Sequence, residues 1–154
     1  MKNRNAKKFF LICLIALTTV FIWSNSFKNG ESSMNDSNGI KQMIISFFMS
    51  LGIDIEGTFF IEFIRKFGHF AEYFILGFEL VLYKIMFLKK DIYSYVNVFF
   101  YGVFAAFLDE TIQLIPALDR SAEVKDVWID IFGMATAFVI VILIHIILKL
   151  IKNN

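Results

Sequence analysis

The sequence predicts an all-α fold: a polytopic membrane helix bundle with four transmembrane helices plus an outer amphipathic helix. Three observations predict it. Apolar residues make up 58% of the 154-residue chain, above the soluble average. Twenty phenylalanines beside a single proline favour long helices over a loop-rich sandwich. The apolar content is concentrated in four stretches, each close to the roughly 20 residues that a bilayer crossing needs. One domain, residues 1–154, is the expectation for this length. A formal net charge of +1 provides no broad basic face, which argues against nucleic-acid binding. The single cysteine, Cys13, cannot form an intramolecular disulfide and reads as a small hydrophobe in an apolar run.

The first crossing covers about residues 9–27 and contains "FFLICLIALTTVFIW". Lys7 and Lys8 ahead of it suggest a signal peptide, but "WSNSF" is bulky and polar where a cleavage site needs small residues. Residues 24–67 form the longest connection. It opens with the polar loop "SNSFKNGESSMNDSNG". Ile40, Met43, Ile44, Phe47, Phe48 and Leu51 then recur at helical spacing, as in an amphipathic helix lying on the outer leaflet or over the bundle mouth. "IDIEGT" breaks that helix, and Phe59 to Arg65 lead into the second crossing, residues 68–88. The third crossing covers 95–115 and the fourth 127–148.

Lysine and arginine set the orientation. Nine of the fifteen basic residues lie in the N-terminal tail, the second-to-third connection and the C-terminal tail, against one acid there, Asp91. The positive-inside rule therefore expects a multi-pass cell-membrane protein with both termini cytoplasmic. Trp23 and Trp128 then fall at the outer interface, where indoles are favoured.

With this topology the ionisable residues gather on one side. His69 and Glu72 open the second crossing, Asp109, Glu110 and Gln113 close the third, and Asp126 and Asp130 open the fourth, with Arg120 just before them. At about 100° per residue, Glu72 lies roughly 60° from His69 and Glu79 about 20° from it, so the three form one stripe. Intramembrane carboxylates cost roughly 2.5–3.5 kcal/mol each, so they face the protein interior and find partners. Asp109 and Glu110 meet the negative end of a helix dipole, whereas Arg65, Lys66 and His69 sit near a positive end. Pairing Arg120 or Arg65/Lys66 with Asp109/Glu110 would relieve both mismatches. Gly68, Gly77, Gly102, Ala105, Ala106, Gly133 and Ala137 are the small residues expected to let helices approach closely.

These residues also carry a family resemblance. "IRKFGHFAEYFILGFEL" followed by "LDETIQLIPALDRSAEVKDVWIDIFG" resembles the VanZ-like integral membrane protein family. The matching positions are Arg65, Lys66, His69, Phe70, Glu72 and Tyr73; Asp109, Glu110 and Gln113; Arg120; and Asp126 with Asp130 and Gly133. Together they cover roughly residues 59–137. Two positions depart from the family pattern: "PALDR" stands where Pro-Gly-Arg is common, and Ala137 where a second helix glycine is usual. What the resemblance implies is a cell-envelope role of the kind associated with teicoplanin-type glycopeptide resistance in Gram-positive bacteria. It implies no established reaction.

Several chemistries remain open for this residue set. His69 with Glu72 could be half of a metal site completed by Asp109, Glu110 or Asp126; so acid-rich a set suits Mg²⁺ or Ca²⁺ better than zinc. The plainer alternative is a hydrogen-bonded pair that fixes helix packing, and no cofactor is predicted. Asp109/Glu110 with Asp126/Asp130 could act as general acid and base, or form a structural ion-pair network with Arg120 and Lys66. A serine nucleophile is unsupported, Ser121 being the hydroxyl nearest the expected mouth. Glu79 could be a proton site, but a carboxyl bonded to a facing hydroxyl is preferred. His145 reads as interfacial or lipid-facing. The leading function is an outward polar pocket that binds a lipid-linked envelope molecule or a glycopeptide among membrane lipids. A membrane-embedded enzyme acting on a lipid-linked precursor and a small ion-coupled transporter are the alternatives.

Overall fold

The computed structural model describes residues 2–28, 38–39, 42–47, 49–50, 58–118 and 123–153, with side chains from Asn3 in the first helix and Phe63 in the second. Four long helices dominate: α1 (Lys2–Ser26), α2 (Thr58–Phe87), α3 (Ile92–Gln113) and α4 (Val124–Asn153), with a short 3-10 turn, Pro116–Leu118, between the last two. No strand occurs among the described residues. Residues 42–47 and 49–50 are helical, in the region where the amphipathic helix is expected, and Met43 and Phe47 of its apolar set are exposed. Ile40, Phe48, Leu51 and Arg120 lie outside the described residues.

Local chemistry sets the helix ends. Asp91 caps α3: its carboxylate accepts the Ser94 backbone N–H at 2.7 Å, answering one of the N–H groups that a helix start leaves unpaired. At the other end Pro116 cannot continue the helix, and Leu114 and Ile115 turn back onto Thr111 and Ile112.

Contacts fix the relative directions. α1 and α3 run parallel, since Thr19–Tyr101, Trp23–Ala105 and Ser26–Asp109 hold nearly constant offsets of 82, 82 and 83 residues. α2 runs antiparallel to α1, with Asn25 on Glu72 and Thr18 on Glu79. It is likewise antiparallel to α3, with His69 facing Asp109 at one end and Lys84 on the Tyr95 ring at the other. α4 is antiparallel to α3, as Phe99–Phe138 and Gly102–Met134 show. The result is an up-down-up-down bundle in which α2 touches every other helix and meets α4 most extensively.

Two glycines make that α2–α4 contact possible. A Cβ at Gly133 would collide with the Phe70 carbonyl, and one at Gly77 would lie 2.9 Å from the Met134 backbone. Gly102 faces the Met134 side chain, and Ala105, Ala106 and Ala137 are buried as the sequence suggests. Gly68 differs. Nothing lies within 4 Å of its open side, so it takes no part in close packing.

Among the described residues, three helices are long and apolar enough to cross a membrane: α1 from Asn3, α3 and α4. The expectation of four is therefore met for three on length and composition. α2 falls short because it carries Arg65, Lys66, His69, Glu72, Glu79 and Lys84, and several of these point into the bundle. The outer faces of the three apolar helices stay hydrophobic, with Phe9, Leu17 and Phe21, then Phe100, Phe104 and Phe107, then Leu143, Ile147 and Leu150 all exposed. Such a belt is unfavourable in water and suited to lipid. α1 is an integral part of the bundle, since Leu11, Ile15, Thr19, Ile22 and Ser26 form its buried stripe. Trp23, expected in the interfacial belt, is half-buried, and its indole N–H donates to the Ala105 carbonyl at 3.2 Å; Trp128 is exposed.

A buried carboxylate–histidine cluster as candidate functional site

All four helices deliver polar side chains to one end of the bundle, the end formed by the C-termini of α1 and α3 and the N-terminal halves of α2 and α4. His69, one of the few groups there able to carry positive charge, is central. Its Nδ1 lies 3.6 Å from Asp130 Oδ1 and 3.9 Å from Asp109 Oδ2. Asp109 and Asp130 are both fully buried. Tyr73, one turn beyond His69, is also fully buried.

The remaining residues of the expected set arrange themselves around this core. Asp109 Oδ1 accepts the Ser26 hydroxyl at 2.5 Å, and the Gln113 amide reaches the same hydroxyl at 3.4 Å. Glu110 accepts the backbone N–H of Glu123, which ties the end of α3 to the start of α4. Arg65 stands 3.8 Å from Asp126. Lys66 is half-buried at the same level. Glu72 accepts the Asn25 amide at 2.7 Å.

Three sequence expectations change as a result. Arg65 pairs with Asp126 and not with Asp109 or Glu110, because α2 and α4 run parallel and bring their N-terminal turns together, while Arg120, the other cation expected to meet those acids, lies outside the described residues. The stripe of His69, Glu72 and Glu79 divides: His69 faces α3 and α4, while Glu72 and Glu79 bond to α1. Asp109 and Glu110, adjacent in sequence, are about 100° apart on the helix and engage different partners, so the facing carboxylate pair is Asp109 with Asp130.

Sequence reasoning missed α1. Thr18, Asn25 and Ser26 all donate to carboxylates, and Ser26 places a hydroxyl inside the cluster. The available signal was modest: polar residues near the end of an otherwise apolar run. Ser26 donates its hydroxyl to an aspartate, whereas the serine of a Ser-His-Asp relay donates to the histidine. Glu79 has the facing hydroxyl expected of it: Thr18 donates at 2.9 Å.

Beside the cluster, a groove of about 270 Å³ runs between α1 and α2, lined by Leu17, Thr18, Phe21, Ile22, Ile75 and Glu72. Its walls are apolar apart from Thr18 and Glu72, and the Glu72 end abuts the cluster. The opposite end of the bundle is basic. Lys84, Lys90, Lys149 and His145, with one acid, Asp91, line a cavity of about 570 Å³, with the Lys84 ammonium 3.2 Å from the Tyr95 ring centroid.

Apolar helices long enough to cross a bilayer, closed around a carboxylate–histidine cluster at one end, define a helical membrane protein with a polar site inside its bundle. The chain belongs to the VanZ/LLP1 family, which it matches over residues 9–145, a stretch that reaches into all four helices and includes every cluster residue. No curated protein and no solved structure matches it.

Proposed function

We propose that this protein is a multi-pass cell-envelope protein of the bacterial cell membrane that holds the polar headgroup of a lipid-linked envelope molecule at the carboxylate–histidine cluster. In this reading all four helices cross, both termini are cytoplasmic and the cluster end faces outward. The observation that carries it is the junction at Glu72, which belongs both to the polar cluster and to the apolar groove between α1 and α2. A lipid chain would occupy the groove, while its headgroup meets the ionisable residues at the mouth. Arg65, 30% exposed, with Lys66 and Arg120, provides the cationic groups that a phosphate or carboxylate requires. A headgroup held there would reduce what a glycopeptide of the teicoplanin type can reach at the membrane, which would account for a resistance role.

Native mass spectrometry of protein extracted with its own lipids tests the proposal. A retained envelope lipid, lost when the groove is filled by Leu17→Trp, is the expected result. Retention of bulk phospholipid alone, equal in wild type and variant, would refute it. The catalytic alternative is tested separately by following turnover of the retained precursor: turnover by the wild type that Asp109→Asn abolishes would favour an enzyme, and no turnover by the wild type would remove that alternative.

A further inference from the structure

The hydrogen bonds of the cluster follow a pattern. Carboxylate oxygens turned toward neighbouring elements are satisfied: Asp109 Oδ1 by Ser26, Glu110 Oε1 by Glu123 and Glu72 Oε1 by Asn25. The atoms turned toward the centre are not. Asp109 Oδ2, both oxygens of Asp130 and His69 Nδ1 are buried without a hydrogen-bond partner among the described residues, as are the Tyr73 hydroxyl and, outside this triad, Glu110 Oε2 and Asp126 Oδ1. One ligand atom each from His69, Asp109 and Asp130 lies within 4.8 Å of the other two. Orphaned groups converging on one small volume are costly in a low-dielectric interior unless something answers them.

The spacings suggest what answers them. The 3.6 and 3.9 Å separations exceed an ordinary hydrogen bond. They do fit two ligands of one ion, which at metal–ligand distances of about 2.1 Å stand roughly 3.0 Å apart in cis and 4.2 Å in trans. Two carboxylates balance a divalent charge, and a neutral imidazole completes the set. The Ser26 hydroxyl on the other oxygen of Asp109 is the kind of outer partner that aims a ligand at a metal. One nitrogen with two oxygens suits the Mn²⁺ to Zn²⁺ class better than Ca²⁺, which takes six to eight oxygens.

We infer that His69, Asp109 and Asp130 form a buried divalent-cation site of the Mn²⁺/Zn²⁺ class, held through Nδ1 and the inward carboxylate oxygens. Glu72, assigned to a metal set by helical spacing, lies outside it. The inference deepens the headgroup reading, on which it rests for the ion's role, a positive charge presented to a phosphate, though not for the ion's existence.

Metal analysis of the full-length protein tests it. Detergent-purified protein, stripped with chelator, is equilibrated with Mn²⁺ or Zn²⁺ and desalted; metal is counted by mass spectrometry, and free Mn²⁺ by its electron paramagnetic resonance signal. One equivalent per chain is expected, with a rise in melting temperature when the ion is added. Asp130→Asn and His69→Gln should bind at least ~10-fold more weakly, and Ser26→Ala about 10-fold more weakly. Glu79→Gln, which alters a buried carboxylate elsewhere, should keep the full equivalent. No stoichiometric Mn²⁺ or Zn²⁺ on the wild type, together with no thermal shift, overturns the inference. So does an equivalent that survives both ligand substitutions. If a ligand variant fails to fold, the wild-type stoichiometry and thermal shift decide alone. Lipid retained without metal removes the ion and spares the headgroup reading; metal retained without lipid does the reverse.

Discussion

Among single residues, buried carboxylates separate into those with a dedicated donor and those without. Glu79 has Thr18, so Thr18→Val, which keeps the side-chain shape, should leave the carboxyl unanswered and cost about 1–3 kcal/mol, seen as a lower melting temperature in detergent. Thr18→Ser should restore most of the loss; equal melting of all three proteins would mean the bond contributes nothing. Asp91, outside the crossings, makes the pH-dependent case. Its hydrogen bonds from Ser94 hold its carboxyl below the usual carboxylate range. A depressed folded-state pKa contributes stability that is complete above the unfolded value of about 3.9 and is lost as pH falls through the folded value. Asp91→Asn can still cap α3, so it should melt near wild type at neutral pH and lose less stability between about pH 5 and pH 3. Identical acid sensitivity of the two proteins would count against the cap. The carboxylates of the cluster were legible in the sequence because membrane-grade segments rarely carry charge. Their donors were not, since Thr18, Asn25 and Ser26 are ordinary residues until α2 and α3 are placed beside α1.

At the scale of helices, the α2–α4 contact is where sequence and packing agree most closely. Gly77 and Gly133 were recognisable as small residues on long apolar helices, and each faces backbone across the interface. Gly133→Ala should therefore force α2 and α4 apart, costing about 1–3 kcal/mol despite alanine's better helix propensity. Gly68→Ala, with open space beside it, should be neutral or slightly stabilising. Unfolding of the two variants in detergent, followed by circular dichroism, distinguishes them; equal effects would mean the interface relaxes without cost. Gly68 misled because composition marks a glycine without revealing which face of the helix it occupies. α2 is the complementary case. Its charges depress its apparent fitness for lipid, yet they were also the signal that it lies inside the bundle, and only its neighbours reveal that His69 faces one way while Glu72 and Glu79 face another.

Across the whole molecule, the two ends of the bundle differ in charge, and this polarity links fold to orientation. One end gathers His69, Asp109 and Asp130; the other gathers Lys84, Lys90, Lys149 and His145 around a cavity. A lysine-rich end is retained in the cytoplasm during insertion, so the carboxylate end should face outward, with both termini inside. In the proposed topology α2, antiparallel to α1 and α3 from His69 at one end to Lys84 at the other, would cross as well. Parity makes this testable: four crossings return the C-terminus to the side of the N-terminus, whereas three would separate them. In a Cys13→Ser background, Trp128→Cys, exposed at the carboxylate end, should react with a membrane-impermeant maleimide on intact cells, and Lys152→Cys only after permeabilisation. A cysteine replacing Lys8 should behave like the one at position 152. Labelling of positions 8 and 152 from opposite sides would remove α2 from the membrane. Labelling of both from outside would keep four crossings but turn the carboxylate end toward the cytoplasm, where a lipid-linked molecule in the outer leaflet could not reach it.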